Sequence, residues 1–218
     1  MMKKYFKSTD CEDIKIIGNT FPQCHQFIKE IDRESKEDFY TADRTFLNGD
    51  INNLHQLRPL YGLKLDRRAK VTDHLVCIVP GVPVLNNRFI ELLQQFKLGK
   101  YFTLPITIIE EKNKELHYFC FCCLNRFTDY VDFPSSIFRK HDAIVTHIKD
   151  FEDYKASDRP KPVEIRFNNK KVANFDVFKL QGITYGSDLF ISEELADKLV
   201  KENITGIEID RKTVAIVE

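Results

Sequence analysis

The sequence predicts an α+β fold, with a mixed, mainly antiparallel sheet and a few packed helices. Three observations predict it. Two apolar stretches, Phe102–Ile109 and Leu116–Leu124, flank a charged loop and read as a hairpin. Two segments carry a one-sided apolar stripe behind a capping residue. Strands and helices are intermixed without the strict strand–helix repeat of a doubly wound sheet.

Along the chain, Thr20 can cap a helix that Pro22 enters in its first turn. Cys24, Phe27, Ile28 and Ile31 then recur at helical spacing. Beyond Asp32 the chain turns polar, and Asn48-Gly49 marks a turn. Leu63 and Leu65 alternate with charged residues and predict a short strand. Leu75–Val79 predicts a buried strand stopped by Pro80-Gly81. Asn86 or Asn87 caps a helix with the stripe Phe89, Leu92, Leu93 and Phe96. Gly99 stands where a left-handed C-terminal cap belongs.

In the hairpin, Pro105 removes a backbone donor, which predicts an edge or an irregularity in its strand. The second strand is apolar on both faces. Phe119, Phe121 and Cys123 face one way; Tyr118, Cys120, Cys122 and Leu124 face the other. It should therefore be central and covered on both sides. Ala143–Ile148 is a further strand, and Asp150–Pro162 reads as a polar loop. Val163, Ile165 and Phe167 alternate before the turn at Asn168-Asn169. Phe178–Leu180 and Leu189–Ile191 are short strands around the glycine loop 182–186. Ser192 caps a last helix with Glu193 and Glu194 at its start, Lys198 and Lys201 at its end, and Leu195, Ala196, Leu199 and Val200 toward the core. Asn203 can end it in the left-handed conformation, and Ile204–Ile209 and Thr213–Val217 follow.

Composition narrows the function. The 218 residues are 43% apolar and 30% charged, which excludes a disordered chain. Lys+Arg and Asp+Glu are both 33, and this neutral balance argues against a general nucleic-acid partner. No apolar run is long enough to span a membrane, and the acids Asp10, Glu12 and Asp13 come too early for a signal peptide. The expectation is a single domain over 1–218, cytoplasmic, without a membrane partner.

No phosphate loop, dinucleotide fingerprint, zinc-protease helix or nucleophile elbow occurs, and no cofactor is expected. His117 with Cys120, Cys122 and Cys123 resembles a ligand set. A regular strand, however, sends Cys120 and Cys122 to one face and His117 and Cys123 to the other, so one metal cannot collect them. Cys24 beside His25, and Cys77 near His74, lie on apolar faces and read as buried thiols rather than nucleophiles. No catalytic, cofactor or metal residue is therefore assigned. The candidate recognition residues are the acids Glu110, Glu111 and Glu115 in the hairpin loop and Asp150, Glu152 and Asp153 in the polar loop. Tyr101, Tyr118, Tyr130, Tyr154 and Tyr185 are candidate interface anchors.

From Asp73 to Ile209 the order of motifs resembles a known family. The carriers are Asp73-His-Leu, Pro83-Val-Leu and the helix Arg88–Leu98, then Lys100-Tyr-Phe-Thr-Leu-Pro. Tyr118-Phe, Leu124-Asn125, Asp132 and Ser135 continue the series. Val177-Phe-Lys-Leu, Leu189-Phe-Ile-Ser-Glu-Glu-Leu and Asn203-Ile-Thr-Gly-Ile-Glu-Ile close it. This series is similar to the bacterial immunity family numbered eleven among the polymorphic-toxin systems. Residues 1–69 show no match, and Cys120–Cys123 replace the aliphatic residues expected there. The resemblance implies a protein that neutralises a cognate toxin by stoichiometric binding, a monomer or weak homodimer when free. It transfers no site residue. The alternatives are a small cytosolic enzyme with a thiol-based site and a self-assembling structural protein.

Overall fold

The computed structural model describes residues 2–48, 51–79, 81–141, 143–145, 147–184 and 187–217. The fold is α+β, with two mixed sheets. The elements run β1 (Lys3–Asp10), α1 (Ile14–Ile17), β2 (Cys24–Phe27), α2 (Arg33–Asn48), β3 (Leu60–Leu65), β4 (His74–Leu75), β5 (Val84–Leu85) and α3 (Asn87–Leu93). They continue with β6 (Tyr101–Ile109), β7 (Glu115–Cys123), β8 (Ile137–Lys140), β9 (Ala143–Val145), α4 (Phe151–Ala156) and β10 (Lys161–Arg166). The last four are β11 (Val177–Phe178), β12 (Leu189–Ser192), α5 (Glu193–Lys201) and β13 (Ile207–Val217).

The first sheet has the order β11-β12-β1-β13-β10-β8-β9, and the second β2-β3-β6-β7-β5-β4. Only β10–β13 and β3–β6 pair in parallel within these ladders. The second sheet curls round until its margins meet. Cys24 N–H donates to Val76 O at 3.0 Å, and Ile78 N–H donates to Cys24 O at 2.9 Å. This bridge joins β2 to the chain just after β4 and covers part of two edges that would otherwise carry open donors and acceptors.

Apolar side chains divide among three cores. Inside the curled sheet, Leu63, Leu75, Leu104, Ile106, Tyr118, Cys120 and Cys122 pack with Phe39, Ala42 and Phe46 of α2. Between the sheets, Phe89 and Leu92 of α3 and Leu195 and Leu199 of α5 meet Phe6, Phe121, Cys123 and Ile191. Beyond the first sheet, Tyr154 of α4 packs with Tyr5, Phe138, Ile165, Phe178 and Phe190. β7 is thus interior and apolar on both faces, as its alternation predicts. So is β1, which alternates Tyr5 to one core and Phe6 to another.

Both capped helices form where expected. Asn86 accepts from Phe89 N, and Ser192 from Leu195 N. Asn203 is left-handed at φ 52°. The hairpin is β6–β7, paired from Tyr101↔Cys123 to Ile109↔Glu115.

Other expectations are corrected. The stripe from Cys24 is strand β2, because its backbone is taken by β3 on one side and the Val76–Ile78 bridge on the other. The polar stretch after Asp32 is the 16-residue helix α2, whose buried face is Phe39, Ala42 and Phe46. α3 ends at Leu93, so Gly99, though at φ 68°, is no cap of it; Asn125 presses against Gly99 instead. The strand expected from Leu75 to Val79 is only His74–Leu75. Pro105 lies in an interior strand, but the β3 ladder starts at Ile106, so Pro105 has no partner there to deprive. Ala143–Val145 is shorter than expected, and Asp150–Pro162 contains α4, capped by the Asp150 side chain. Val200 is 60% exposed rather than core-facing, since Leu195, Ala196 and Leu199 already fill the buried side of α5. The last two stretches are one strand, β13, with a register shift opposite Phe6/Lys7. Gly49 and Pro80, and Tyr185 and Gly186 of the glycine loop, lie outside the described residues.

Candidate functional site

The six candidate acids fall into two separate groups. Glu110, Glu111 and Glu115 stand at the turn joining β6 to β7. A 3-10 turn over Glu111–Asn113 shapes it, closed by Glu110 N–H donating to Lys114 O at 2.8 Å. Glu110 pairs with Lys114 at 2.9 Å, while Glu111 and Glu115 are exposed. Glu110 and Glu111 line a hollow with Phe27, Lys29, Glu30 and Lys64. Glu111 also borders a neighbouring hollow with His25, Lys64, Asp66 and Arg67. The floor is the β2 margin, so a curled sheet positions a charged surface of both signs.

Asp150, Glu152 and Asp153 belong to α4, on the far core. Asp150 accepts from Asp153 N at 2.9 Å, Asp153 accepts from Lys149 N at 2.9 Å, and Glu152 pairs with Lys155 at 2.6 Å. Acids at a helix start offset its orphan donors. These three are therefore committed to forming the helix, although Asp150 also borders a hollow with Asp129 and Asp132.

Of the candidate tyrosines, Tyr154 is fully buried and Tyr118 is buried with its hydroxyl donating to Thr72 O at 2.6 Å. Neither can anchor a partner. Tyr101 is 36% exposed and stacks on Phe121; Tyr130 is half-buried against Phe127. Tyr185 lies outside the described residues.

All six cysteines are free thiols, and only Cys77 is less than fully buried. Burial raises the thiols of Cys11, Cys77, Cys120 and Cys122, and pushes Cys123 up to about 12. A nucleophilic cysteine needs the opposite shift. Cys120 and Cys122 face the curled-sheet core and Cys123 the inter-sheet core, as strand parity predicts. Among the described residues no group of three or more His, Cys, Asp and Glu is arranged to hold a metal.

One serine, histidine and aspartate do meet. His74, buried, places Nε2 3.4 Å from Asp10 Oδ1, and Ser187 Oγ donates to the same Asp10 oxygen. The aspartate sits in the middle. A hydrolytic relay needs the imidazole between serine and carboxylate, so this is a structural tie between β1, β4 and the chain before β12. Burial lowers His74, only partly opposed by the Asp10 charge.

Sequence reasoning missed the polar brackets that hold this frame. Asp73, buried, accepts from Asn86 Nδ2 at 2.9 Å, and from Thr205 N at 2.8 Å and Thr205 Oγ1 at 2.9 Å. Burial pushes its carboxyl up, but those bonds and the Arg88 charge outweigh that and hold it below the ordinary value. Asp176 accepts from Lys97 N at 2.9 Å and from Lys3 Nζ at 2.8 Å. Asn125 donates to Leu98 O and to Val177 O and accepts from Lys100 N. Each bracket joins segments far apart in the chain, which single-sequence patterns do not register.

Comparison with family models places the chain among the immunity proteins. The matching model is that of immunity protein 43, over residues 81–213, more than half of the chain, and the chain belongs to that family. The class is the one the motif order implies; the number eleven is not the one matched. A comparison with curated proteins finds no match. Among the described residues no helix is long and apolar enough to cross a membrane.

Proposed function

We propose that this protein neutralises a cognate toxin by stoichiometric binding in the cytoplasm, without catalysis. The carrying observation is the immunity protein 43 match over residues 81–213. We take 1–218 as one domain, supported by the insertion of β1 between β12 and β13. The free chain is read as a monomer or weak homodimer, with neither nucleic acid nor membrane as partner.

The proposed contact is the β6–β7 turn with Glu110, Glu111 and Glu115, together with the β2 margin beside it. Glu111 and Glu115 are exposed and Glu110 is paired with Lys114 beside them, whereas Asp150, Glu152 and Asp153 cap and balance α4. In a neutral chain, steering must come from such local charge, and rim charges govern the association rate more than the affinity. A specific complex would bury ~800 Å² on this side.

The test is affinity capture from the native host, followed by assay of the captured protein. A captured protein whose toxic activity is blocked by one equivalent of this chain supports the reading. Recovery of the bait alone, with the toxin expressed, refutes it. With the complex in hand, Glu110→Gln/Glu111→Gln/Glu115→Gln should slow association several-fold and flatten its salt dependence. An unchanged rate would place the contact elsewhere.

A further inference from the structure

Cys24 and Cys77 face each other at the seam of the curled sheet. They are register partners in the bridge that closes it, with Cys24 N–H and C=O bonded to Val76 and Ile78 on either side of Cys77. Bridge partners project to the same face, and both side chains pack into the curled-sheet core. Adjacent strands lie ~4.8 Å apart, inside the 4.4–6.8 Å span of Cα atoms that a disulfide bridges. Both are free thiols; Cys24 is fully buried and Cys77 half-buried.

We propose that Cys24 and Cys77 form a reversible disulfide that locks this seam when a small-molecule disulfide oxidant is present. The half-buried Cys77 reacts first. Its thiolate, having given its proton to solvent, attacks one sulfur of the oxidant, forms a mixed disulfide and expels one thiolate. The Cys24 thiolate then attacks Cys77 Sγ, and the second thiolate leaves. In sum, two protein thiols become one disulfide, and the oxidant is reduced to two thiols. Burial, followed by the neighbouring Cys24 and Cys120 thiols, raises Cys77, so the thiolate is scarce and the reaction is slow near neutrality and faster in alkali. Cys120 is the competing partner. It faces the same core from β7, but it is not in the bridge that sets Cys24 opposite Cys77.

The link would close the loop 24–77, which holds α2 and β3 and lies wholly outside the matched segment. The experiment is incubation of the full chain with oxidised glutathione at pH 8.5, then non-reducing digestion and mass spectrometry. The expected product is a Cys24–Cys77 peptide pair. A melting temperature raised by roughly 8 °C, and restored by dithiothreitol, should accompany it. Cys77→Ser should remove both effects, whereas Cys120→Ser should keep them. The wild-type digest carries the result even if a variant folds poorly. A mixed disulfide that stops at Cys77, a pair of Cys120 with either Cys77 or Cys24, or six thiols recovered unreacted would each overturn the proposal.

Discussion

Replacing Asp73 with alanine tests the idea that buried carboxylate brackets hold the two sheets in place. Asp73 is 7% exposed, and its oxygens accept from the Thr205 amide, the Thr205 hydroxyl and the Asn86 amide, all within 2.9 Å. Alanine would remove the acceptor of the Asn86 amide and of the Thr205 amide and hydroxyl, but Asn86 is half-buried and Thr205 exposed, so water replaces part of it. Bonds to a charged acceptor contribute ~1.5–3 kcal/mol each, non-additively, and less where the donor reaches solvent. The Arg88 pair adds little, because the arginine side chain is 52% exposed and solvent screens it. The expected loss is therefore about 2 kcal/mol. For a chain of this size that lowers the melting temperature by roughly 4–8 °C. Urea unfolding followed by circular dichroism measures the free energy, and Arg88→Ala provides the control, with an expected cost below ~1 kcal/mol. An Asp73→Ala loss below ~1 kcal/mol, or an Arg88→Ala loss of equal size, would show that the bracket does not stabilise the fold in this way.

Three further outcomes are expected. Stability should fall with acid in two stages. His74 is lowered by burial below its ordinary 6.5, so the unfolded chain binds its proton first and stability declines as pH drops below that value. Asp73 and Asp176 are held below 3.8, so their contribution is complete above 3.8 and is lost as pH falls through their lower folded values. Urea midpoints across pH 3–8 read both stages, and a His74→Gln variant that kept the upper stage would contradict the first assignment. Gly206→Ala should cost at least ~3 kcal/mol, because Gly206 sits at φ +87° and a Cβ there would lie 2.0 Å from His74 O; a midpoint within error of wild type would refute this. Ser192→Ala should cost ~1–2 kcal/mol, because the hydroxyl both caps α5 and bonds the Asp176 carboxylate; a midpoint within error of wild type would show the hydroxyl to be idle.

What could be read in advance depended on whether the deciding partners were local. The α3 and α5 caps act within three residues, and β7 shows its two covered faces in its own alternation. β1 carries a comparable pattern under disguise. Lys3 reaches Asp176, Lys4 lies over the Phe6 ring at 4.9 Å, and Lys7 pairs with Asp188. Long stems let these lysines sit on a central strand while their charges find partners, so the segment looks like a surface. The spacing of Cys24, Phe27, Ile28 and Ile31 suits a helix equally well, and only pairing with β3 and Val76–Ile78 decides for a strand. In α2, charged residues dilute the stripe of Phe39, Ala42 and Phe46. The acids of the candidate site were visible as charges, but not their division between the β6–β7 turn and the α4 cap. Asp73 and Thr205 are 132 positions apart, beyond the reach of any local pattern.

The position of β1 also sets an order in time. Its partners are β12 and β13, with Lys3 opposite Val217, so β1 must wait for strands made much later before its backbone is satisfied. During synthesis it remains an unpaired segment holding Tyr5 and Phe6, two of the largest fully buried side chains. Pairing across such a separation in sequence is slow. Until those later strands arrive, Tyr5 and Phe6 are apolar surface open to the wrong partner, so the cost of placing β1 in the middle of the sheet is exposure to aggregation during folding.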